Sequence, residues 1–252
     1  MAEDPWLLAF KGDLDGLRTA ITPDNLDARD GDGWTPLLAA CENAQPETLA
    51  WLIEQGASLD AVLPKNGASA AHICVQAASW RGDRRAPDGG FGDEKERRAE
   101  RCLGLLVRAG APLELHQTSG GATPLHDAAA FGIGPLLAVL LENPIAVDPR
   151  DKQGQTPLMT AACRGRAMGC YALIEAGADV NASLGPNFTI LHACAEKGEV
   201  GTARMLVDRG ADPVARLTAD FEKHKAGATP GDVARAWNQR AFAEWADQFA
   251  GR

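Results

Sequence analysis

A four-residue motif recurs along the chain at nearly fixed intervals. It reads Thr35-Pro36-Leu37-Leu38, then Ser69-Ala70-Ala71-His72, Thr123-Pro124-Leu125-His126, Thr156-Pro157-Leu158-Met159, Thr189-Ile190-Leu191-His192 and finally Thr229-Pro230. Successive first residues are 34, 54, 33, 33 and 40 positions apart. A period near 33 marks a repeat array, in which one unit cannot bury its own apolar face and must stack on its neighbours. That constraint outranks length, since 252 residues would otherwise allow one or two ordinary domains.

The segment 151–182 shows how one unit is built. Asp151-Lys152-Gln153-Gly154 has turn chemistry, with Gly154 free to take positive φ. Thr156 is placed to cap a helix, and Pro157 suits a first turn that needs no backbone donor. Leu158, Ala161 and Ala162 give that helix a thin apolar face, and Gly165 ends it. A second helix follows, with Tyr171, Leu173 and Ile174 as its expected buried side, and Gly177-Ala178-Asp179 leads on to the next turn. Small residues in the first helix and larger ones in the second let such pairs stack closely.

The Thr-Pro-Leu-His entry, the Ala-Ala pair and the Gly-Ala-Asp-x-Asn-Ala ending at 177–182 together resemble the ankyrin repeat. Gly210-Ala211-Asp212 and Gly56-Ala57 repeat that ending, so the resemblance covers nearly the whole chain. It implies an all-α ankyrin-repeat solenoid of about seven helix-turn-helix units with short hairpin-like fingers, forming one domain over 1–252. The N-terminal cap is expected over 4–29, full repeats over 30–64, 65–117, 118–150, 151–184 and 185–227, and a C-terminal cap over 228–252, running into a helix from Asp232 to Ala250. It also implies that His72, His126 and His192 are structural, bonding within their own repeat and to the backbone of the next finger.

Two insertions break the period. The first is an inserted loop at 79–98, rich in Gly and charge, whose part from Glu94 onward can lengthen the second helix of its unit. The second lengthens the finger at 213–227, read as a solvated extension carrying Phe221, Lys223, His224 and Lys225. In the third full unit Glu142-Asn143-Pro144 replaces the Gly-Ala ending, and Pro144 stops the helix nearby.

Composition narrows the function. A net charge of −9 argues against nucleic acid or an anionic membrane as partner and fits a basic protein. No apolar run approaches the roughly 20 residues of a membrane helix, and the acidic start does not resemble a signal peptide, so a cytoplasmic location is expected. The alanine- and arginine-rich composition suits a bacterial source. The six cysteines form no C-x-x-C pair and fall in apolar stretches, as reduced core thiols do. His72-Ile73-Cys74 and His192-Ala193-Cys194 put their polar groups on different helix faces, which rules against a metal site. His116 and His224 have no acidic or thiol partner at ligand spacing. No phosphate loop or catalytic constellation is present, so no enzyme, cofactor or metal is expected. The alternative of a thiol enzyme would rest on Cys102 or Cys163.

The resemblance places the partner surface on the concave side, at finger tips and near the ends of first helices. The residues there are Asp32, Trp34, Glu42 and Asn43; Lys65 and Asn66; Ser119, Asp127 and Phe131; Lys152, Gln153, Gln155 and Arg164; and Pro186, Phe188, Glu196 and Lys197. Trp34, Phe131 and Phe188 are the aromatic anchor candidates, against the simpler expectation that Trp34 and Phe188 pack on adjacent fingers. A lone array, monomeric when free, would act by binding: as an immunity or inhibitor protein that blocks a cognate toxin or enzyme, or alternatively as a secreted host-directed effector or cytosolic regulatory scaffold.

Overall fold

A computed structural model describes the backbone of residues 4–79 and 91–250, and the side chains of 4–79 and 94–250. The described residues form seven helix pairs in chain order: α1 (Pro5–Lys11) and α2 (Leu14–Ala20); α3 (Pro36–Glu42) and α4 (Pro46–Glu54); α5 (Ala70–Ser79) and α6 (Phe91–Arg108); α7 (Pro124–Phe131) and α8 (Gly134–Leu141); α9 (Pro157–Cys163) and α10 (Ala167–Glu175); α11 (Ile190–Lys197) and α12 (Val200–Asp208); α13 (Pro230–Ala236) and α14 (Arg240–Ala246). Strands β1 (Ser183–Leu184) and β2 (Phe188–Thr189) pair antiparallel in one finger. This is the ankyrin-repeat architecture expected from the motif.

Local chemistry explains where the first helices begin. Thr35 accepts from the amide of Leu38, and Thr156 from that of Met159, each with Pro at the next position. Each cap satisfies a donor that the helix cannot satisfy itself. Replacing Thr156 with Ala is expected to cost about 1 kcal/mol, read as a lower urea midpoint with an unchanged slope. A midpoint within error of wild type would count against the cap.

The fingers are closed by aspartate. Asp30 Oδ1 accepts from the amides of Asp32 and Trp34 at 2.9 and 2.8 Å, and Asp151 Oδ1 from those of Gln153 and Gln155 at the same distances. One residue earlier, Arg29 reaches the carbonyls of Gly33 and Val62, and Arg150 those of Gly154 and Ser183, tying each finger to the next. Gly33 is obligatory, because at φ 89° a Cβ there would lie 2.4 Å from Pro64 Cδ.

Contacts divide the chain into two compact units, Met1–Asp127 with Ala138–Ile145, and Ala128–Leu137 with Ala146–Arg252. In the first, α3 packs on α1, α4 and α5, and α6 packs on α4 and α5. Leu37, Leu38, Leu49, Leu52, Leu103 and Leu106 are fully buried there. The thiols of Cys41, Cys74 and Cys102 are fully buried in this core. In the second, α11 packs on α9, α12 and α13, and α14 on α12 and α13. Leu173, Leu206 and Phe242 anchor that core.

Three expectations need correction. Tyr171 is 51% exposed, because Gly169, Cys170, Leu173 and Ile174 already supply the buried side of α10. The expected helix from Asp232 to Ala250 is two helices and a 3-10 turn (Asp247–Phe249), since Asn238 takes φ 58° and breaks the chain direction. Finally, the tip of the 213–227 finger is folded against its neighbours. Of the first insertion, residues 80–90 lie outside the described part, while α6 starts at Phe91, so 94–98 do lengthen that helix.

Candidate binding surface

In the first unit several candidate residues are spoken for by structure. Asn43 donates to the carbonyl of Phe10 at 2.9 Å. Asn66 closes its own turn through the amide of Ala68, and its carbonyl accepts from Thr118. The Asp127 carboxylate accepts from Gln76 at 2.8 Å and Gln117 at 3.0 Å. Asp32, Glu42 and Lys65 are exposed, and Trp34 is half-buried. The lengthened α6 brings Lys95 within electrostatic reach of Glu42, whose carboxyl is nevertheless pushed up by the partial loss of its water, though the side chain still reaches solvent. Arg98 bonds Gln45, and Arg101 pairs with Glu47 at 2.8 Å.

In the second unit Lys152, Arg164 and Lys197 are exposed, and Phe131, Gln155 and Glu196 are partly so. Gln155 accepts from the Thr160 hydroxyl at 3.2 Å. Phe188 is only 4% exposed, which corrects its assignment as a surface anchor. Its ring lies 5.0 Å from that of Phe221, 5.4 Å from His192 and 6.0 Å from His224. His224, expected on a solvated finger, is buried instead, and its Nε2 donates to Glu196 Oε1 at 2.8 Å.

One register organises the candidates. The residue eight positions after each capping threonine is Asn43, Phe131, Arg164, Lys197 or Trp237, at the end of α3, α7, α9, α11 or α13. None of the five is buried. Trp237, 43% exposed, is the functional candidate that sequence reasoning missed, although the same count from Thr229 leads to it. Lys223 lies over its ring, 5.2 Å from the centroid.

The motif histidines are structural. His72 Nδ1 accepts from the amide of Ser69 at 3.2 Å, and His192 Nδ1 from that of Thr189 at 3.1 Å. The remaining ring proton therefore sits on Nε2, which donates to the carbonyl of Ala122 or Ala228 in the next finger. Burial lowers both imidazoles to about 4. Cys163 and Cys170 are equally unsuited to nucleophilic work. Burial pushes Cys163 up to about 11 and Cys170 to about 12, and a thiol, unlike a thiolate, is a poor nucleophile. Among the described residues no group of three or more His, Cys, Asp or Glu is placed to hold a metal ion, and no helix is long and apolar enough to cross a membrane.

Comparison with known proteins agrees with this geometry. The family model for ankyrin repeats (3 copies) matches residues 6–81, 96–184 and 125–217. Human ankyrin repeat and SOCS box protein 16 is 32% identical over 166 residues, covering 63% of this chain and 32% of that protein. Mouse nuclear factor NF-kappa-B p105 subunit is 40% identical over 79 residues, 31% of this chain and 8% of that protein. The chain thus spans a third or less of these relatives, which are animal proteins and lend no support to a bacterial source. Among solved structures, the ankyrin repeat domain of human ASB11 aligns with a TM-score of 0.72 at 24% identity, covering 96% of this chain and 97% of that one. That of Bcl-3 aligns with a TM-score of 0.72 at 25% identity, covering 96% and 98%.

Proposed function

The chain belongs to the ankyrin repeat family, whose fold is in general a non-catalytic protein-interaction module, and from that premise we propose that it binds a protein partner through its fingers and the ends of its first helices, acting by occupancy. One observation carries this. Positions that build the frame repeat in kind, whereas the position eight residues past each motif threonine varies through Asn43, Phe131, Arg164, Lys197 and Trp237 and is not buried; only the Ser69 copy places a buried residue there, Ala77. A net charge of −9 supports a basic partner. Among the specific roles we favour a cytoplasmic regulatory scaffold over an immunity protein or a secreted effector. The support is the animal relatives, which include SOCS box proteins and an NF-kappa-B subunit.

Affinity capture followed by substitution tests the surface. Trp237→Ala and Arg164→Glu should each weaken capture of the main partner by about 30-fold, the order expected of a central anchor. Thermal stability should stay at the wild-type value, since neither residue is buried. Unchanged capture by both variants would remove the helix-end assignment.

A further inference from the structure

The finger at 213–227 is closed differently from those at 30–35 and 151–156, which close on their own aspartates. Its tip is a two-residue turn. Phe221 and His224 exchange both backbone hydrogen bonds, at 2.9 and 2.8 Å, around Glu222 and Lys223. Glu222 sits at φ 50°, an unfavourable conformation for a residue other than Gly, Asn or Asp. Much of what holds the tip comes from outside the finger. The Phe221 ring lies on Phe188 and against Gly185, where a Cβ would come within 3.1 Å of it. The His224 side chain, 3% exposed, donates to Glu196 of α11. Lys223 covers Trp237 at the end of α13. Asp220 braces the base of the tip through Lys225 and the amide of Ala226, and Thr218 donates to the carbonyl of Pro186. Thus an aromatic ring and an imidazole, three residues apart, fill an aromatic slot and an acidic seat.

We propose that Gly185, Phe188, Glu196 and Trp237 form a binding site for a segment of a partner protein that presents an aromatic ring and, three residues on, a base, and that residues 220–225 are its internal occupant. The proposal rests on the protein-binding function above and gives the partner segment its chemistry. A solvated finger needs neither a buried histidine nor a strained glutamate, whereas an occupant that competes with a ligand needs both side-chain contacts. The tether supplies the tip at an effective concentration on the order of millimolar, so a displacing segment must bind more tightly than an untethered copy of the tip. Lysine or arginine in place of the imidazole would meet the same Glu196 carboxylate, in keeping with a basic partner.

The test is to empty the site and refill it. Residues 219–226 are replaced by Gly-Asn-Gly, and a fluorescent peptide of residues 217–227 is added. Fluorescence anisotropy should show saturable binding to the shortened chain and at least about tenfold weaker binding to the intact chain, whose site is filled. A peptide carrying Phe221→Ala and His224→Ala, or a shortened chain carrying Glu196→Gln, should also bind at least about tenfold more weakly. No binding to a folded shortened chain, or equal binding to both chains, overturns the proposal. Should the shortened chain not fold, the intact chain with Phe221→Ala and His224→Ala serves instead. Hydrogen exchange at the amides of 221 and 224 should then rise at least about tenfold, and unchanged exchange overturns the proposal. If the peptide fails to bind while Trp237→Ala still abolishes partner capture, the internal-occupant proposal falls and protein binding by the helix ends stands.

Discussion

Acidification from pH 7 to pH 5 will destabilise the folded chain by about 4 kcal/mol, chiefly through His72 and His192. Each ring accepts a backbone amide at Nδ1, so a second proton there would set an N–H against an N–H. Burial, first of the causes, lowers both groups from 6.5 to about 4. The sign follows from where the protons go. As pH falls below 6.5 the unfolded chain takes up a proton at each histidine and the folded chain does not, so stability declines until about pH 4, where the folded rings also protonate. Over the step from 6.5 to 5 this amounts to about 2 kcal/mol per histidine. Asp220, held below its ordinary value first by Lys225, loses its contribution only below about pH 3.8 and does not confuse the window. Urea midpoints at pH 7 and pH 5, measured for wild type and for His72→Gln with His192→Gln, decide it. The double variant starts less stable but should lose much less on acidification. An equal loss in both would assign the pH dependence elsewhere.

Those histidines also show what the sequence could convey. Caps, finger turns and the His slot depend on partners three or four residues away, and such local chemistry repeats with the motif. The Thr-Pro entries therefore located the first helices, and Asp30 and Asp151 closed fingers where turn residues stood. Tyr171 misled because α10 is apolar on more than one side, with Met168 also exposed, so periodicity alone did not say which stripe is covered. Trp237 was within reach of the same count that gave Phe131. It was hidden by reading one helix through Asn238, whose positive φ is a backbone choice that no apolar period signals. The tip of the second insertion was not legible, because His224 meets Glu196 from 28 positions away and Phe221 meets Phe188 of the preceding finger. An irregular finger has no register to count from. Each insertion brings a basic side chain to the end of a first helix, α6 with Lys95 near Glu42 and the finger with His224 on Glu196. The departures from periodicity thus act on the variable helix ends, and the periodic residues build the frame.

Replacing Phe242 with Ala should be the most damaging single change in the second unit, at about 3–5 kcal/mol. Phe242 heads the largest fully buried side chains, and its ring meets Trp245 edge-on at 5.1 Å, with Trp245 in turn 5.2 Å from Phe249. Truncation removes the apolar area and leaves a cavity that flanking helices fill only in part. Its position makes the loss local at first. Helix α14 packs on α12, α13 and the 3-10 turn, and in a repeat array each unit leans on its nearest neighbours. Hydrogen exchange should therefore rise most over α13 and α14, with the melting temperature falling by about 10 °C. Trp237→Ala, in the same pair but exposed, should leave both readings near wild type and lower only partner capture. Were Phe242→Ala to raise exchange evenly across residues 146–250, the second unit would be unfolding as one block, and nearest-neighbour stability would be the wrong description of this array.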